Sequence, residues 1–393
     1  MKANKISLNG EILLDLTQDT ATEADVAVGK TFHKADGTPS VGALIPKEDL
    51  DAELTEQEEL IADLKDVLTS GGSGGSGSDE WIGDGKTHLW IEIATEGRMD
   101  VPLYFFQSVA NDVTIDWGDG SASQTLSGIG DVNTKHTYAS IGKYIITLDS
   151  SKGFFALGYD SSSYCVIGST SDQRYKNMLK RVEIGNSETI IRQYTFRGCY
   201  YLSSIKISNS VESINGYAFQ NCYSLSSIDI PDSVVSISQY AFENCYSDIK
   251  IPNSVTYIGA SAFSGCRFLS SIEIPDRVTS IQAYTFSGCS ALSNITIPDS
   301  VESIFSYAFQ NCYSLSNITI PSGVTSIGGS AFQNCYYMQF YDFTKHTSVP
   351  TLSGTNAFQG IPSDCEIRVP MALVDEWKAA TNWATYAGNI VGV

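Results

Sequence analysis

Residues 202–225 read LSSIKISNSVESINGYAFQNCYSL, and this arrangement returns along the second half of the chain, mostly at intervals of 23 residues. Each copy ends on Ala-Phe or Thr-Phe followed by cysteine three positions after the phenylalanine. A repeat of this length cannot bury its apolar side alone, so the period predicts a solenoid of stacked coils. One interval, from Cys245 to Cys266, is only 21 residues and predicts a local kink or flattened corner. The seven repeat cysteines are Cys199, Cys222, Cys245, Cys266, Cys289, Cys312 and Cys335.

The alternation inside one copy predicts short strands. Ile205 and Ile207 stand two positions apart with Lys206 between them, which is the spacing of two inward side chains and one outward side chain. In five later copies a proline follows the isoleucine pair and ends the strand, because proline removes a backbone donor. Gly or Asn precedes each repeat cysteine, the choice expected where the backbone turns left-handed after a helical turn.

Seven of the nine cysteines occupy one position of the repeat. Thiols stacked at a strand spacing of about 5 Å are close enough for a disulfide, but their parallel side-chain directions make one unfavourable. The odd number of equivalent positions favours the same interpretation. We therefore expect a column of small buried apolar groups with free thiols, and no C-x-x-C pair indicates zinc.

The pattern Ile-x-Ile-Pro-x-Ser-Val-x-x-Ile-x-x-x-Ala-Phe-x-x-Cys resembles the BspA-type leucine-rich repeat over about residues 180–370. The resemblance implies surface display, adhesion and ligand binding without catalysis. We expect the solenoid at residues 179–370, a connector and N-terminal cap at residues 151–178, and a C-terminal cap at residues 371–393. The segment from Met371 to Asn382 predicts a capping helix over the open end.

Residues 81–150 alternate apolar and polar positions in short runs and predict a small antiparallel β-sandwich. The stretches IDWGDGS at 115–121, HTY at 136–138 and GKY at 142–144 resemble the signature of the polycystin-type (PKD) immunoglobulin-like domain. This resemblance implies a spacer or an adhesion module that presents the solenoid.

The segments before residue 81 predict attachment and association. Residues 1–48 are typical of a small β-rich module, and GEILLDLT at 10–17 with GKTFHKADG at 29–37 resembles attachment modules of tail-fibre proteins from bacteriophages and prophages. Residues 49–69 carry a heptad spacing that predicts a coiled-coil helix and a homotrimer. The alternative is one amphipathic helix lying on its own domain. Residues 70–80 form a Gly/Ser linker.

The composition excludes several classes of protein. The 393 residues contain 24 Lys and Arg against 44 Asp and Glu, a formal net charge of −20, which argues against nucleic acid or an anionic membrane as partner. No apolar run approaches the ~18 residues of a membrane span. The N-terminal residues lack the apolar stretch of a secretory signal, so we expect none there.

The sequence predicts no catalytic centre, no cofactor and no metal site. The four histidines lie in different segments and outside the zincin motif, so no acid–base constellation is visible. Asp116, Asp119 and Asp131 are candidate calcium ligands, although an Asp-Gly turn explains Asp119 without a metal.

Tyrosine is concentrated in two columns of the repeat, which hold ten of the 21 tyrosines and are the candidate ligand-binding residues. Tyrosine among Ser, Asn and Gly is typical of recognition surfaces, because the ring offers contact area and the hydroxyl offers hydrogen bonds. The alternative is that the rings merely pack the edge of the solenoid. The first column is Tyr194, Tyr217, Tyr240, Tyr284 and Tyr307; the second is Tyr200, Tyr223, Tyr246, Tyr313 and Tyr336.

These features predict a mainly β, multidomain protein with a leucine-rich-repeat solenoid behind a sandwich and a short coiled coil. Our first hypothesis is a non-enzymatic, tail-fibre-like receptor-binding protein of a phage or prophage virion tail. Its N-terminal module would contact other tail or baseplate proteins, and its solenoid would bind a bacterial surface glycan or protein. The alternative is a bacterial cell-surface or extracellular adhesin of the BspA type that binds a host protein or glycan. A glycan-processing enzyme with binding modules is a third hypothesis.

Overall fold

The computed structural model describes residues 81–95, 99–150, 155–158, 164–169, 175 and 177–393, and the backbone of four short strands before residue 41. The chain divides into two compact units, Met1–Gly77 and Ser78–Val393. The predicted coiled coil and the Gly/Ser linker lie outside the described residues, as does most of the predicted connector.

The first unit contains two short antiparallel strand pairs. Strand β1 pairs with β2, and β3 pairs with β4. Both pairs fall inside the segment for which the sequence predicts a β-rich module. The bounds are β1 Lys5–Leu8, β2 Glu11–Asp15, β3 Phe32–His33 and β4 Pro39–Ser40.

The second unit begins with an antiparallel sheet in the order β5-β8-β6-β7, and β9 pairs with the N-terminal half of β6. The two separate sheets of the predicted immunoglobulin-like sandwich are not confirmed, because one hydrogen-bonded path joins these strands. A two-residue hairpin pair, β10 and β11, follows. The bounds are β5 Thr87–Ile93, β6 Asp100–Asp116, β7 Gln124–Thr137, β8 Gly142–Ser150, β9 Phe155–Leu157, β10 Tyr164–Cys165 and β11 Gly168–Ser169.

The antiparallel sheet and the solenoid are continuous. Strand β12 (Leu179–Glu183) pairs antiparallel with β5 on one edge, and on its other edge it pairs parallel with β14 (Ser204–Lys206). On the first-strand face the first coil therefore has no open edge, and β5 covers the side for which the sequence predicts a cap at residues 151–178.

Each coil of the solenoid contributes two short strands, and each strand pairs in parallel with its equivalents in neighbouring coils. On the first-strand face Ile205 stands opposite Ile228, and on the second-strand face Ile214 stands opposite Ile237. All four side chains are buried, which confirms the predicted inward positions. After β12 and β14, the first strands are β16 Ser227–Asp229, β18 Asp248–Lys250, β20 Ser271–Glu273, β22 Asn294–Thr296, β24 Asn317–Thr319, β26 Phe340–Asp342 and β28 Glu366–Val369. The second strands are β13 Ile190–Ile191, β15 Ser213–Ile214, β17 Ser236–Ile237, β19 Tyr257–Ile258, β21 Ser280–Ile281, β23 Ser303–Ile304, β25 Ser326–Ile327 and β27 Thr351–Leu352.

The third side of each coil is the turn that carries Ala-Phe or Thr-Phe. Its phenylalanine N–H donates to a carbonyl of the next coil, as from Phe219 to the Ala241 oxygen at 2.8 Å. The rings are fully buried and stack along the axis, with the centroids of Phe219 and Phe242 5.2 Å apart. The predicted left-handed backbone before each cysteine is confirmed, with φ of 62° at Asn221 and 68° at Gly198.

The repeat cysteines are fully buried, are not joined by disulfides and lie in register. Each thiol from Cys222 to Cys335 also donates to the carbonyl oxygen of a phenylalanine in the preceding coil, as from Cys245 Sγ to the Phe219 oxygen at 3.0 Å. The column is therefore hydrogen-bonded as well as packed. Burial raises the pKa of Cys266 and of Cys335 to about 12, so these thiols stay protonated.

Both sheets break after the 21-residue interval, where the sequence predicts a kink or flattened corner. Among the described residues, no ladder joins β18 to β20 on the first-strand face or β19 to β21 on the second-strand face. A further break separates β22 from β24 on the first-strand face alone. The turn side stays bonded throughout, since the Phe263 N–H donates to the Thr285 oxygen at 3.0 Å.

The C-terminal segment differs from the predicted capping helix. Its α-helix, α1, covers only Val374–Ala379, between 3₁₀ turns at Met371–Leu373 and Trp383–Tyr386. The chain then returns as β29 (Ile390–Gly392), which pairs in parallel with β28 and adds one more strand to the first-strand face. Within the described part of the chain, no helix has the length and apolar character needed to cross a membrane.

Candidate functional site

The first tyrosine column lies immediately before the turn, and its backbone is left-handed. The φ angles of Tyr194, Tyr217 and Tyr240 are 64°, 59° and 57°. Bulky residues rarely adopt this conformation, which costs about 1–2 kcal/mol for residues other than glycine. Sequence reasoning missed this feature, because neither Gly nor Asn stands at any of these positions. Ser261 and Ser330, with φ of 56° and 55°, replace tyrosine at the same place in two coils.

Rings of the first column stack on one another from coil to coil. The ring centroids of Tyr217 and Tyr240 are 4.7 Å apart with planes 12° from parallel, and those of Tyr284 and Tyr307 are 4.6 Å apart at 5°. Because stacking covers the ring faces, a partner would contact the ring edges and the hydroxyl groups of each column. Ser261 interrupts the column between Tyr240 and Tyr284 and divides it into two blocks of stacked rings.

The second column follows the cysteines and is built in the same way. Tyr223 stacks between Tyr200 and Tyr246 with centroid distances of 5.1 and 5.3 Å. Tyr313 and Tyr336 form a second block at 5.4 Å. All five of these side chains are half-buried. The structure thus aligns the predicted tyrosines within each column, which combines packing with partial exposure.

Side-chain amides occupy the turn between the two tyrosine columns. Asn244 Nδ2 donates to Asn221 Oδ1 at 2.9 Å, and Asn334 makes the same 2.9 Å bond to Asn311. Next to them, Gln310 Nε2 donates to Gln333 Oε1 at 2.9 Å. We call the two tyrosine columns and the amides between them the tyrosine face. It combines aromatic edges, hydroxyls and amides, groups suited to hydrogen bonding with a neutral polar partner.

The N-terminal part of the tyrosine face also carries charge. The Arg197 guanidinium lies 5.5 Å from the ring centroid of Tyr194 and 5.8 Å from that of Tyr217, within the range of a cation–π contact. Glu243 accepts a hydrogen bond from Gln220 Nε2. Burial raises the pKa of the Glu243 carboxyl and that of the Tyr217 hydroxyl, so the Tyr217 hydroxyl remains a donor at neutral pH.

The three candidate calcium ligands are engaged elsewhere in the structure. Asp116 accepts from the Gly118 N–H at 2.9 Å, and Asp119 accepts from the Ser121 N–H at 3.0 Å, which supports the turn interpretation. Asp131 pairs with Arg192 at 2.9 Å. Among the residues with described side chains, no group of three His, Cys, Asp or Glu side chains is arranged to hold a metal ion.

The described histidines also have structural partners. His136 Nε2 lies 2.7 Å from Asp119 Oδ2, and its ring stacks on Trp117 with centroids 4.9 Å apart. His88 contacts Asp84 and Thr147 through its two ring nitrogens. The buried His346 Nε2 lies 3.3 Å from the Val324 oxygen, in the solenoid. The structure therefore does not bring these three histidines together.

Comparison with known proteins finds one family model that matches the repeats. Residues 170–248 and 246–363 match the model described as the BspA type leucine rich repeat region, in six copies. No curated protein matches the chain. The resemblances of residues 81–150 and of residues 1–48 stay predictions.

Similar solved structures are leucine-rich-repeat proteins of bacteria. One from Bacteroides ovatus is 27% identical over 48% of this chain and 55% of that chain, with a TM-score of 0.39. A leucine rich cell surface protein from Faecalibacterium prausnitzii is 27% identical over 43% and 61%, with a TM-score of 0.32. A T. pallidum leucine rich repeat protein is 29% identical over 40% and 64%, with a TM-score of 0.32. The chain thus spans less than two thirds of the length of each. Residues 170–363 are therefore similar in sequence to the BspA type leucine rich repeat region.

Proposed function

We propose that this chain is a non-enzymatic, adhesin-type protein of the cell surface or extracellular space, which binds a protein or glycan partner through its tyrosine face. The BspA-type repeats over residues 170–363 support this role, because such solenoids generally bind partners and do not catalyse reactions. They favour it over the phage-tail hypothesis, which depends on residues 1–69.

The tyrosine face is the single observation that carries the proposal. Its hydroxyls and amides repeat at the spacing of the coils, as the 4.6 to 5.4 Å ring distances indicate. A partner with evenly repeated polar groups, such as an extended peptide or a glycan chain, can hydrogen-bond to several coils at once. Because stacking covers the ring faces, we expect hydroxyl contacts to contribute more than contacts to ring faces.

Tyr→Phe substitutions separate binding from packing, because they remove the hydroxyl and keep the stacked ring. The full chain would be tested against a glycan array and a panel of immobilised extracellular-matrix proteins. We expect the double variant Tyr217→Phe plus Tyr307→Phe to lose at least about tenfold in affinity for the partner that the parent binds. Tyr257→Phe is the matched control, since Tyr257 is 48% exposed on the second-strand face.

Two results would reject the tyrosine face as the contact surface. One is unchanged binding in the double Phe variant and also in Tyr223→Ala plus Tyr313→Ala. The other is an equal loss in the Tyr257→Phe control. A melting curve of each variant shows whether the fold is retained.

The virion-tail location, the homotrimer and the tail or baseplate partners stay predictions. Light scattering of the full chain tests the trimer. A trimer that becomes monomeric on deletion of residues 50–68 would favour the tail-fibre hypothesis, whereas a monomer in both cases would favour the adhesin.

A further inference from the structure

The short coil, which runs from Tyr246 to Cys266, lacks a core position that the other coils have. Cys222 and Ile228 are six residues apart in the ordinary coil, whereas Cys245 and Ile249 are only four apart. The missing pair includes the equivalent of Leu225, which is fully buried in its own coil. The corner that leads into the first strand is therefore shorter and less filled.

The short coil is bonded to the next coil on one side only. Between these two described coils, all three backbone hydrogen bonds lie on the turn side. They run from Ser261, Phe263 and Gly265 to Ala283, Thr285 and Ser287, at 2.9, 3.0 and 2.7 Å. Both strand faces are unpaired at this point. The strand edges of β18 and β20 thus leave backbone N–H and C=O groups without a strand partner.

A cleft opens on the first-strand face where β18 and β20 are unpaired, and its volume is about 550 Å³. We call it the short-coil cleft. Ile251 in its lining is half-buried, whereas the equivalent Ile230 and Ile274 are each 5% exposed. The cleft therefore reaches the edge of the core. Its volume lies within the range of small-molecule sites in proteins.

The charged lining of the short-coil cleft alternates in sign along the first-strand face. Lys250 occupies the outward position between Asp229 of the preceding coil and Glu273 of the following coil, and Asp232 adds a third carboxylate. Amide and hydroxyl side chains complete the polar wall. Carboxylates accept hydrogen bonds, while the ammonium and the strand-edge N–H groups donate them.

We infer that the short-coil cleft binds a neutral, hydroxyl-rich ligand, one or two pyranose units of a saccharide. Vicinal hydroxyls both donate and accept, so they match the carboxylates together with the ammonium and the unpaired backbone groups. The three carboxylates, against the single ammonium of Lys250, disfavour an acidic sugar. This site lies on a different side of the coil from the tyrosine face and does not depend on the function proposed for that face.

The first test measures which ligands bind the full chain. Calorimetric titration and saturation-transfer NMR would use maltotriose, cellotriose and triacetylchitotriose as neutral probes, trigalacturonate as the acidic probe and spermidine as the cationic probe. We expect at least one neutral trisaccharide to bind more tightly than spermidine does, and trigalacturonate not to bind. Tighter binding of the acidic or the cationic probe, or binding of none of the neutral probes, overturns the inference.

Two variants locate the site. Inserting Leu-Ser between Ser247 and Asp248 restores the 23-residue interval, and we expect it to close the cleft and abolish neutral-saccharide binding. Asp232→Asn should weaken that binding about five- to tenfold, since it removes a charged acceptor. Asp299→Asn is the matched control, because Asp299 is also exposed and follows a proline at the same repeat position outside the cleft.

Unchanged affinity in the insertion variant, or equal effects of Asp232→Asn and Asp299→Asn, would overturn the inference. Circular dichroism confirms that each variant is folded. Binding to the tyrosine face gives an independent readout, because Tyr217→Phe plus Tyr307→Phe should leave saccharide binding in the cleft unchanged.

Discussion

Glu188 is a buried carboxyl at the junction between the antiparallel sheet and the first coil, and we expect it to make this junction less stable as pH rises. The Thr87 hydroxyl donates to its Oε1 at 2.6 Å, and the Leu157 N–H donates to its Oε2 at 3.1 Å. Only 1% of the residue is exposed. Burial raises the pKa of Glu188 to about 7, and the two hydrogen bonds offset only part of that effect.

The direction of the pH dependence follows from the higher pKa in the folded chain. The folded chain keeps a proton that the unfolded chain, with a pKa near 4.5, has released between pH 4.5 and 7. The contribution of Glu188 to stability is therefore complete below pH 4.5 and is lost as pH rises through 7. At 1.36 kcal/mol per pKa unit, the free energy of unfolding falls by about 3 kcal/mol between pH 4.5 and 7.

Glu188→Gln tests this reasoning, because the amide keeps the size and is neutral at every pH. The two donors face two oxygens in Glu188 but one oxygen and one NH₂ group in the glutamine. The variant therefore loses one hydrogen bond, which lowers the free energy of unfolding by roughly 1–2 kcal/mol. The parent should be more stable at pH 5 and the variant more stable by about 1–2 kcal/mol at pH 8, so the two pH curves cross. Hydrogen exchange of the Leu157 and Gly185 amides, both bonded within this cluster, reports the local stability.

The difference between parent and variant isolates Glu188, because every other carboxyl is shared. Glu302→Gln, at an exposed position of the solenoid, is the control and should shift neither curve. Parallel pH curves for parent and Glu188→Gln from pH 4.5 to 8 would refute the argument.

Three further predictions concern the solenoid. Iodoacetamide at pH 8 should modify the nine buried cysteines slowly in the folded chain and rapidly in guanidinium chloride, and mass spectrometry counts the adducts. Cys289→Ala should cost roughly 1–2 kcal/mol in guanidinium denaturation, because it removes the thiol that donates to the Phe263 oxygen and leaves a small void; no change would show that this bond is negligible. Asn311→Ala should cost about 1–2 kcal/mol at its φ of 59°, whereas Asn311→Gly should cost less; the opposite order would contradict the left-handed requirement.

The repeat made the interior of the solenoid predictable. Ile205 and Ile228 occupy the same place in the period and meet in register, because parallel coils repeat both sequence and geometry. The left-handed turn before each cysteine was predictable for the same reason, since only Gly or Asn stands there. The hydrogen bonds from the thiols of Cys222 to Cys335 were not predictable. The period shows that each cysteine is buried, but it does not show which group the thiol contacts.

The junction between the antiparallel sheet and the solenoid could not be predicted from the sequence. Strand β5 alternates apolar and polar residues as any half-buried strand does. That alternation does not indicate that β5 pairs with β12, about 90 residues away. The prediction treated residues 81–150 as a separate β-sandwich domain. The buried Glu188, which bonds to Thr87 and Leu157, becomes meaningful only once that pairing is known.

The candidate sites were partly predictable. The tyrosine columns follow from the period, but their left-handed backbone does not, since Tyr217 and Tyr240 give no sign of it. The two-residue deficit before Ile249 is visible in the sequence. The side on which the coils separate depends on packing, because the stacked Phe263 ring and its hydrogen bond hold the turn side together.

The one-sided junction after the short coil has a mechanical consequence. A pull along the solenoid axis loads the coil-to-coil bonds in series, so the array yields where the fewest bonds act in parallel. That point is the junction between Cys266 and the following coil, where three backbone bonds bear the load. A solenoid pulled from both ends would therefore first lengthen at this junction, while the coils on either side keep their shape.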